Sequence, residues 1–330
     1  MFGEISNVKI SGVMSAVPEN VFDNYSYIET IEDKKTKKQV KLSGIHYRHT
    51  LCKGQKLYLL ASSTAENLLH KLGWSKDDVR VLINVTQTPE LTAPSTAMLI
   101  QKEIGLGVSC LAFDVNLGCS GYISGVQIVC SLLRNTGGKG ILITGDGEYK
   151  EYGTDIPKDA LLFGCGVSAT AIELSDNGNR FEYCQFTDGS RYDWLYIPKG
   201  KQTITDGNSM LLFSMNEVRD SIRRSLEKFD YSEREIDWFV FHQSQKMAVE
   251  GLINECCLPA DRVLISYDKF GNTSSSSIPV TICNNEALIK QKNETEITLF
   301  MCGYGIGLAW NTAIMKISTD AVFPIESISM

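Results

Sequence analysis

The chain has 330 residues, 43% hydrophobic and 22% charged, globular proportions that exclude a disordered chain and allow one large domain or two fused ones. Its net charge of −7 argues against nonspecific nucleic-acid binding. The N-terminal residues carry no basic stretch leading into an apolar core, and the longest uncharged runs, residues 115–133 and 297–315, are glycine-broken and shorter than the ~20 residues of a membrane span. These features predict a soluble, cytoplasmic protein with no membrane partner.

Ten cysteines form no C-x-x-C pair, and His46, His49, His70 and His242 stand in no ligand-like spacing. Reduced thiols and no metal site are therefore expected. In chain order, 34-KKTKK-38, with Arg48 nearby, makes one local basic cluster that reads as a solvated loop. In 57-LYLLASSTAENLLHKLG-73, Leu57, Leu60, Ala61, Ala65, Leu68, Leu69 and Leu72 share one face, and Gly73 is placed to end a helix. The run 79-VRVLINV-85 reads as a buried strand. In 113-FDVNLGCSGYISGVQIVCSLLRN-135 a strand pattern passes through Gly118-Cys119-Ser120 into an apolar helix pattern, and 140-GILITGDG-147 is β-rich. Met215, Val218, Ile222, Leu226 and Phe229 predict a helix over 211–229, followed by the strand 236-IDWFVF-241, the polar turn 270-FGNTSSSSIP-279 and the β-rich 296-EITLFMCGYG-305.

This order repeats. Acidic residues follow each amphipathic helix and precede a buried strand (Asp77-Asp78, then Glu233-Arg234-Glu235), and 113-FDVNLGCS-120 matches 267-YDKFGNTS-274 as aromatic, Asp, four residues, Cys or Thr, then Ser. The pattern predicts an α/β fold of two similar halves, residues 1–174 and 175–330, that build one site across a pseudo-dyad.

Three residues stand where such a site would form. Cys119, at the first turn of a helix, meets unpaired N–H groups and the positive end of the helix dipole, which favour thiolate. Gly118 and Gly121 leave room for backbone to approach a substrate carbonyl. His242 ends an apolar strand, where α/β folds place their sites. Asn272, after Gly271, can donate to a developing negative charge. The loop 302-CGYGIGLAW-310 has Leu308 where a dinucleotide fingerprint needs its third glycine, and so reads as a tight turn exposing backbone amides.

Taken together, 10-ISGVMSAVPEN-20, 43-SGIHYRHT-50, 113-FDVNLGCSG-121, 162-LFGCGVSA-169, 187-TDGSRYDWLYIPKG-200, 241-FHQSQ-245, 270-FGNTSSSSIP-279 and 303-GYGIGLAW-310 closely resemble the β-ketoacyl-acyl-carrier-protein synthase III family of the thiolase superfamily. The resemblance implies a thiolase-like duplicated fold layered α-β-α-β-α, a homodimer, and decarboxylative Claisen condensation. It implies that Cys119 carries the acyl primer, that His242 and Asn272 bind the thioester of malonyl-acyl-carrier protein, and that the backbone amides of Cys119 and Ile306 form an oxyanion hole. Arg48, Ala93, Gln243, Gln245 and Gly305 fall at substrate- or carrier-binding positions. No cofactor is implied, because coenzyme A or the carrier's phosphopantetheine supplies the thioester, and the carrier's acidic surface would meet a local basic patch.

The sequence departs from the family in four places. It has 242-HQSQ-245 for His-Gln-Ala-Asn, Cys165 for a usual Asp, no aromatic residue to stack on adenine in 33-DKKTKKQVKLSGI-45, and Ala93 where short-primer members place a pocket-filling Phe from the partner subunit. The departures predict an acyl-carrier donor and a primer longer or bulkier than acetyl. Three rivals share some of these features: a cysteine protease, whose Cys, His and Asn come in the same order; a same-fold acyltransferase to an oxygen or nitrogen nucleophile; and a non-catalytic heterodimer partner. The Asn272 context opposes the first two, and Cys119 opposes the third.

Overall fold

The computed structural model describes residues 1–147, 149–152, 156–199, 203–292 and 294–329. The final Gly200 of the 187–200 motif lies outside them. The first half runs β1 Phe2–Pro18, α1 Leu57–Leu72, β2 Val79–Val85, α2 Thr96–Ile104, β3 Leu111–Val115, α3 Gly121–Thr136, β4 Lys139–Asp146 and β5 Gly166–Leu174. The second half runs β6 Asn179–Thr187, α4 Arg219–Phe229, β7 Trp238–Phe241, α5 Lys246–Glu255, β8 Val263–Leu264, α6 Ser277–Asn284, β9 Glu296–Gly305 and β10 Ala309–Ser318. Element by element, the second sequence of structures repeats the first.

The sheet repeats as well. Its order is β3-β2-β4-β5-β1-β6-β10-β9-β7-β8, so β3-β2-β4-β5-β1 and β8-β7-β9-β10-β6 are mirror lists joined where β1 pairs antiparallel with β6. In each half the site-bearing strands are parallel, β2 with β3 and β4, and β7 with β8 and β9. Strands buried on both faces read as continuous apolar runs, with alternate residues going to opposite layers. Val81, Ile83 and Val85 of β2 and Trp238 and Val240 of β7 face a middle layer made by Ile123, Val126 and Cys130 of α3 with Ile278 and Ile282 of α6. Leu82 faces outward to Leu60 and Leu68 of α1 and Ile100 and Ile104 of α2. Phe239 and Phe241 face Ile222 and Leu226 of α4 and Val249 and Leu252 of α5. The layers are therefore helix, sheet, helix, sheet, helix, as expected.

Three local expectations need correction. The helix expected over 211–229 is continuous but starts earlier, at Gly207, and carries a π-helical stretch at Ser214–Val218 before α4. The matched stretches 113–120 and 267–274 differ locally, because Phe113 and Asp114 lie in β3 whereas Tyr267–Phe270 is a short helix. The true counterpart of β3 is the two-residue β8, and the loops carrying Cys119 and Asn272 correspond because each precedes a middle-layer helix. Residues 34–38 are not a loop but open the helix Lys34–Ser43, capped by the Asp33 side chain on Lys35 N and anchored by buried Thr36 and Val40. Among the described residues no helix is long and apolar enough to cross a membrane.

Candidate active site

Cys119 occupies the turn between β3 and α3, tightened by Gly121 N donating to Gly118 O at 2.7 Å. The turn is clasped from the other half. Asn311 Nδ2 of β10 donates to Ser120 O at 2.8 Å, and β9 packs so closely that a Cβ on Gly305 would lie 2.9 Å from both Cβ and Sγ of Cys119. The Ile306 amide at the tip of that hairpin, together with Cys119's own amide and the Ser274 hydroxyl, favours negative charge on the sulfur. Burial dominates, however, and with the nearby Asp146 carboxylate it pushes the thiol up to about 12. The expectation that the helix start favours thiolate is thus corrected: desolvation outweighs the dipole and amides.

His242 follows β7 directly, its N–H donating to Cys302 O of β9 at 2.8 Å. It is 1% exposed, and burial pulls its imidazole down to about 3, so the ring is neutral through the physiological range. Nδ1 is buried with no hydrogen-bond partner among the described residues. A buried lone pair left bare costs less than a buried N–H left bare, which puts the ring proton on Nε2. Asn272 is tied into the first half: its N–H donates to Leu162 O at 2.8 Å, and its carbonyl accepts from Gly164 N at 3.0 Å. The side-chain Oδ1 accepts from Ser274 N at 2.8 Å, which orients the amide and leaves Nδ2 free to donate. The serines after it are buried structural residues rather than a flexible tract.

Cys119, His242 and Asn272 line one cavity of about 1700 Å³, together with Gly305, Ile306, Ser244, Gln245 and Arg48. Arg48 is no part of a surface cluster: it is buried, donates to Asn24 Oδ1 at 3.0 Å and stacks over Phe22, and burial lowers its guanidinium to about 10. Gln243 requires correction. Its side chain turns away from the cavity, donating to Phe241 O at 2.8 Å and accepting from Ser266 N at 3.0 Å and Tyr267 N at 3.3 Å. It is a backbone brace, not a substrate contact. Ala93 is exposed and does not line the cavity of its own chain. Cys165 does line it. Among the described residues no group of side chains could hold a metal ion.

Sequence reasoning missed Asp146, which ends β4 and lines the same cavity. It accepts from Gln87 N at 2.5 Å, Thr86 Oγ1 at 3.0 Å and Ser275 Oγ at 3.0 Å. Burial raises its carboxyl despite these donors. The available signal was a carboxylate closing the otherwise apolar run 140–145.

Comparisons with known proteins agree with this geometry. Residues 226–317 match the 3-oxoacyl-[acyl-carrier-protein (ACP)] synthase III C-terminal family. Over 328 residues the chain is 30% identical to the β-ketoacyl-[acyl-carrier-protein] synthase III of Streptococcus sanguinis (strain SK36), covering 94% of this chain and 99% of that protein. It is 28% identical to the same-named protein of Clostridioides difficile (strain 630), covering 93% and 97%. The crystal structure of a 3-oxoacyl-(acyl-carrier protein) synthase from Burkholderia xenovorans LB400 superposes with a TM-score of 0.92 at 28% identity over 99% of both chains. Full-length similarity, the thiolase-type repeat of the fold, and a cysteine, histidine and asparagine brought to one cavity place this chain in the β-ketoacyl-[acyl-carrier-protein] synthase III family of condensing enzymes.

Proposed function

We propose that the protein is a 3-oxoacyl-acyl-carrier-protein synthase that loads an acyl primer onto Cys119 and condenses it with malonyl-acyl-carrier protein. The observation that carries this reading is the convergence of Cys119, His242 and Asn272 on one cavity, with the Ile306 amide turned to the cysteine sulfur. In the first stage the sulfur attacks the primer's thioester carbonyl. The tetrahedral oxyanion is held by the amides of Cys119 and Ile306, the donor thiol leaves, and an acyl-enzyme remains. In the second stage the malonyl thioester oxygen accepts from Nε2 of the neutral His242 and Nδ2 of Asn272. Carbon dioxide departs, the enolate attacks the acyl carbon, and the Cys119 sulfur is released. Neutral donors suit this step because they strengthen as enolate charge develops instead of binding the ground state tightly.

The remaining roles belong to the same proposal. Arg48, Gln245 and Gly305 shape the cavity for substrate, and Gln243 is withdrawn. The lysine-rich face of Lys34–Ser43 stands beside the cavity-lining Gln39, a placement suited to an acidic carrier domain. The primer is longer than acetyl, the donor an acyl-carrier protein, the assembly a cytoplasmic homodimer in which Ala93 of one protomer meets the other's cavity, and no cofactor takes part. The two halves, 1–174 and 175–330, act as one catalytic unit.

The test is to incubate the protein with acyl-coenzyme A and acyl-carrier donors of graded length and read acyl mass on Cys119 by peptide mass spectrometry. The expected result is an adduct discharged as a 3-ketoacyl product only when malonyl-carrier is added. An adduct passed to an amine or alcohol would instead establish an acyltransferase, and an unmodified Cys119 would refute the reading.

A further inference from the structure

Among the described residues Arg48 is the only buried arginine or lysine, 5% exposed. The lysines that line the same cavity, Lys53, Lys150, Lys158 and Lys199, are all exposed. Burial lowers the Arg48 guanidinium only to about 10, so it remains charged at neutral pH. A cation held away from water ordinarily has a carboxylate against it, and among the described residues Arg48 has none. The ionisable groups that act on its charge are a thiol and two phenols, those of Cys165, Tyr152 and Tyr27.

The protein nevertheless holds this group firmly. Arg48 projects from the strand Tyr47–His49, opposite Phe22 of the strand Val21–Asp23, and its guanidinium lies 4.3 Å over the Phe22 ring. Nε donates to Asn24 Oδ1 at 3.0 Å and Nη1 to Phe163 O at 3.4 Å, both uncharged acceptors. The remaining N–H donors of the fork, all of those on Nη2 included, meet no protein acceptor among the described residues. Nη2 is not sealed in either, because the fully enclosed side-chain polar atoms without a partner there are Thr144 Oγ1, Trp238 Nε1, His242 Nδ1 and Asn311 Oδ1. It therefore opens onto the cavity that Arg48 lines. The arginine is gripped by its flank and its face, and its end is left for a solute.

The position of Arg48 narrows the choice of anion. A Cβ on Gly164 or on Gly271 would lie 3.4 or 3.5 Å from Arg48 Cβ, and these glycines adjoin the paired residues Phe163 and Asn272. The side chain is thus rooted at the reacting end of the cavity, whereas the phosphate of a pantetheine arm stands at the far end of that arm from the thioester. The malonyl carboxylate must leave as carbon dioxide, and an arginine holding it would stabilise the ground state against that loss. The primer remains. We propose that Arg48 recognises a carboxylate at the distal end of the acyl primer, so that the substrate class is the half-thioester of a dicarboxylic acid. The thioester end meets Cys119, and the ionised end meets Nη1 and Nη2 of Arg48, a planar fork matched to two carboxylate oxygens. This inference rests on the proposed loading of Cys119 and names the substrate of that step.

Thioesters of N-acetylcysteamine carry no phosphate and isolate the primer's own charge. With peptide mass spectrometry of Cys119 as the readout, the wild-type protein should load the best dicarboxylic primer of a series from succinyl to sebacoyl about tenfold to hundredfold faster than the same chain capped as its monomethyl ester, the scale of a charge-assisted hydrogen bond. Equal rates for the acid and its ester would overturn the inference with no variant needed, which keeps it decidable if Arg48→Met fails to fold. In folded Arg48→Met, whose side chain keeps an apolar stem for Phe22, the advantage of the acid over the ester should disappear. An unchanged advantage with both rates lowered would overturn the inference in favour of a brace for the strand. Selective loss of phosphorylated over unphosphorylated octanoyl-pantetheine would overturn it in favour of the arm's phosphate, and selective loss of malonyl-carrier decarboxylation in favour of the malonyl carboxylate. Wild-type loading of octanoyl and dicarboxylic primers alike would overturn this inference alone, whereas a wild-type protein that accepts no acyl group from any donor would remove the proposed function with it.

Discussion

The contact between β9 and the nucleophile turn is tight enough to predict a failure quantitatively. Replacing Gly305 by Ala puts a methyl carbon 2.9 Å from both Cβ and Sγ of Cys119, whereas apolar atoms rest at about 3.5–4.0 Å, so the turn or the hairpin must yield by roughly 0.6–1.1 Å. Neither partner can yield cheaply: the turn is held by Asn311 on Ser120 O, and β9 is paired on both sides, with β7 and β10. Overpacking of this kind costs about 1–3 kcal/mol of stability. Displacing the sulfur and the Ile306 amide by about 1 Å costs on the order of a hundredfold in rate. Gly305→Ala is therefore expected to remain folded, with a lowered urea midpoint, and to load acyl groups about a hundredfold more slowly by rapid-quench mass spectrometry. Wild-type loading in a folded Gly305→Ala protein would refute the claim that the Gly305–Cys119 approach sets the geometry of attack.

Further outcomes follow from the same geometry. Gln243→Leu orphans the buried donors Ser266 N and Tyr267 N, which at about 1–3 kcal/mol each should cost about 2–6 kcal/mol in urea denaturation; unchanged stability with lost substrate binding would restore Gln243 to the substrate. His242 has its folded pKa, about 3, below the ordinary 6.5, so the unfolded chain binds this proton first and stability falls as pH drops through that window. Comparing His242→Gln with wild type should remove a slope approaching 1.4 kcal/mol per pH unit between pH 6 and 4, and parallel curves would contradict the burial argument. Ala93→Phe, remote from its own cavity, should favour acetyl over octanoyl primers by tenfold or more if Ala93 of one protomer meets the other's cavity; no change in chain-length preference, with the dimer intact by sedimentation, would sink that placement.

Much of the fold was legible because it is written in local periodicity. Leu60 and Leu68 on one helical face, Gly73 at the C-cap, and the unbroken apolar runs of β2 and β7 each report burial through neighbours in sequence. The Cys119 turn and the histidine ending β7 were legible for the same reason, since strand ends are where this fold class exposes chemistry. What escaped depends on partners far along the chain. Gln243 and Gln245 look equivalent in sequence, and only the backbone at Ser266 and Tyr267 shows that the first faces inward. Asp146 became significant only through Gln87 and Ser275, the latter 129 residues away. The thiol's high pKa was hidden because the dipole is a local property and desolvation is not.

The repeat explains why one duplicated scaffold yields two kinds of chemistry. The loop after β3 carries Cys119, and the loop after its counterpart β8 leads to Asn272. Strand β4 closes on the carboxylate of Asp146, and its counterpart β9 closes on Gly305 with the Ile306 amide beyond it. Corresponding positions have thus diverged in charge. The first half sets two ionisable groups at the cavity, the Cys119 thiol and the Asp146 carboxyl, whereas the second sets Nε2 of a neutral imidazole, a carboxamide and a backbone N–H, none of which needs to ionise. Such a division suits a buried site. A standing charge pair would be expensive to desolvate, while neutral donors lining one cavity interact most strongly when substrate charge appears. Exchanging the two kinds of group, for example by Asn272→Asp, would set a second carboxylate in the same cavity as Asp146 and the enolate. The duplicated fold would survive that change, and the decarboxylating half of the reaction would not.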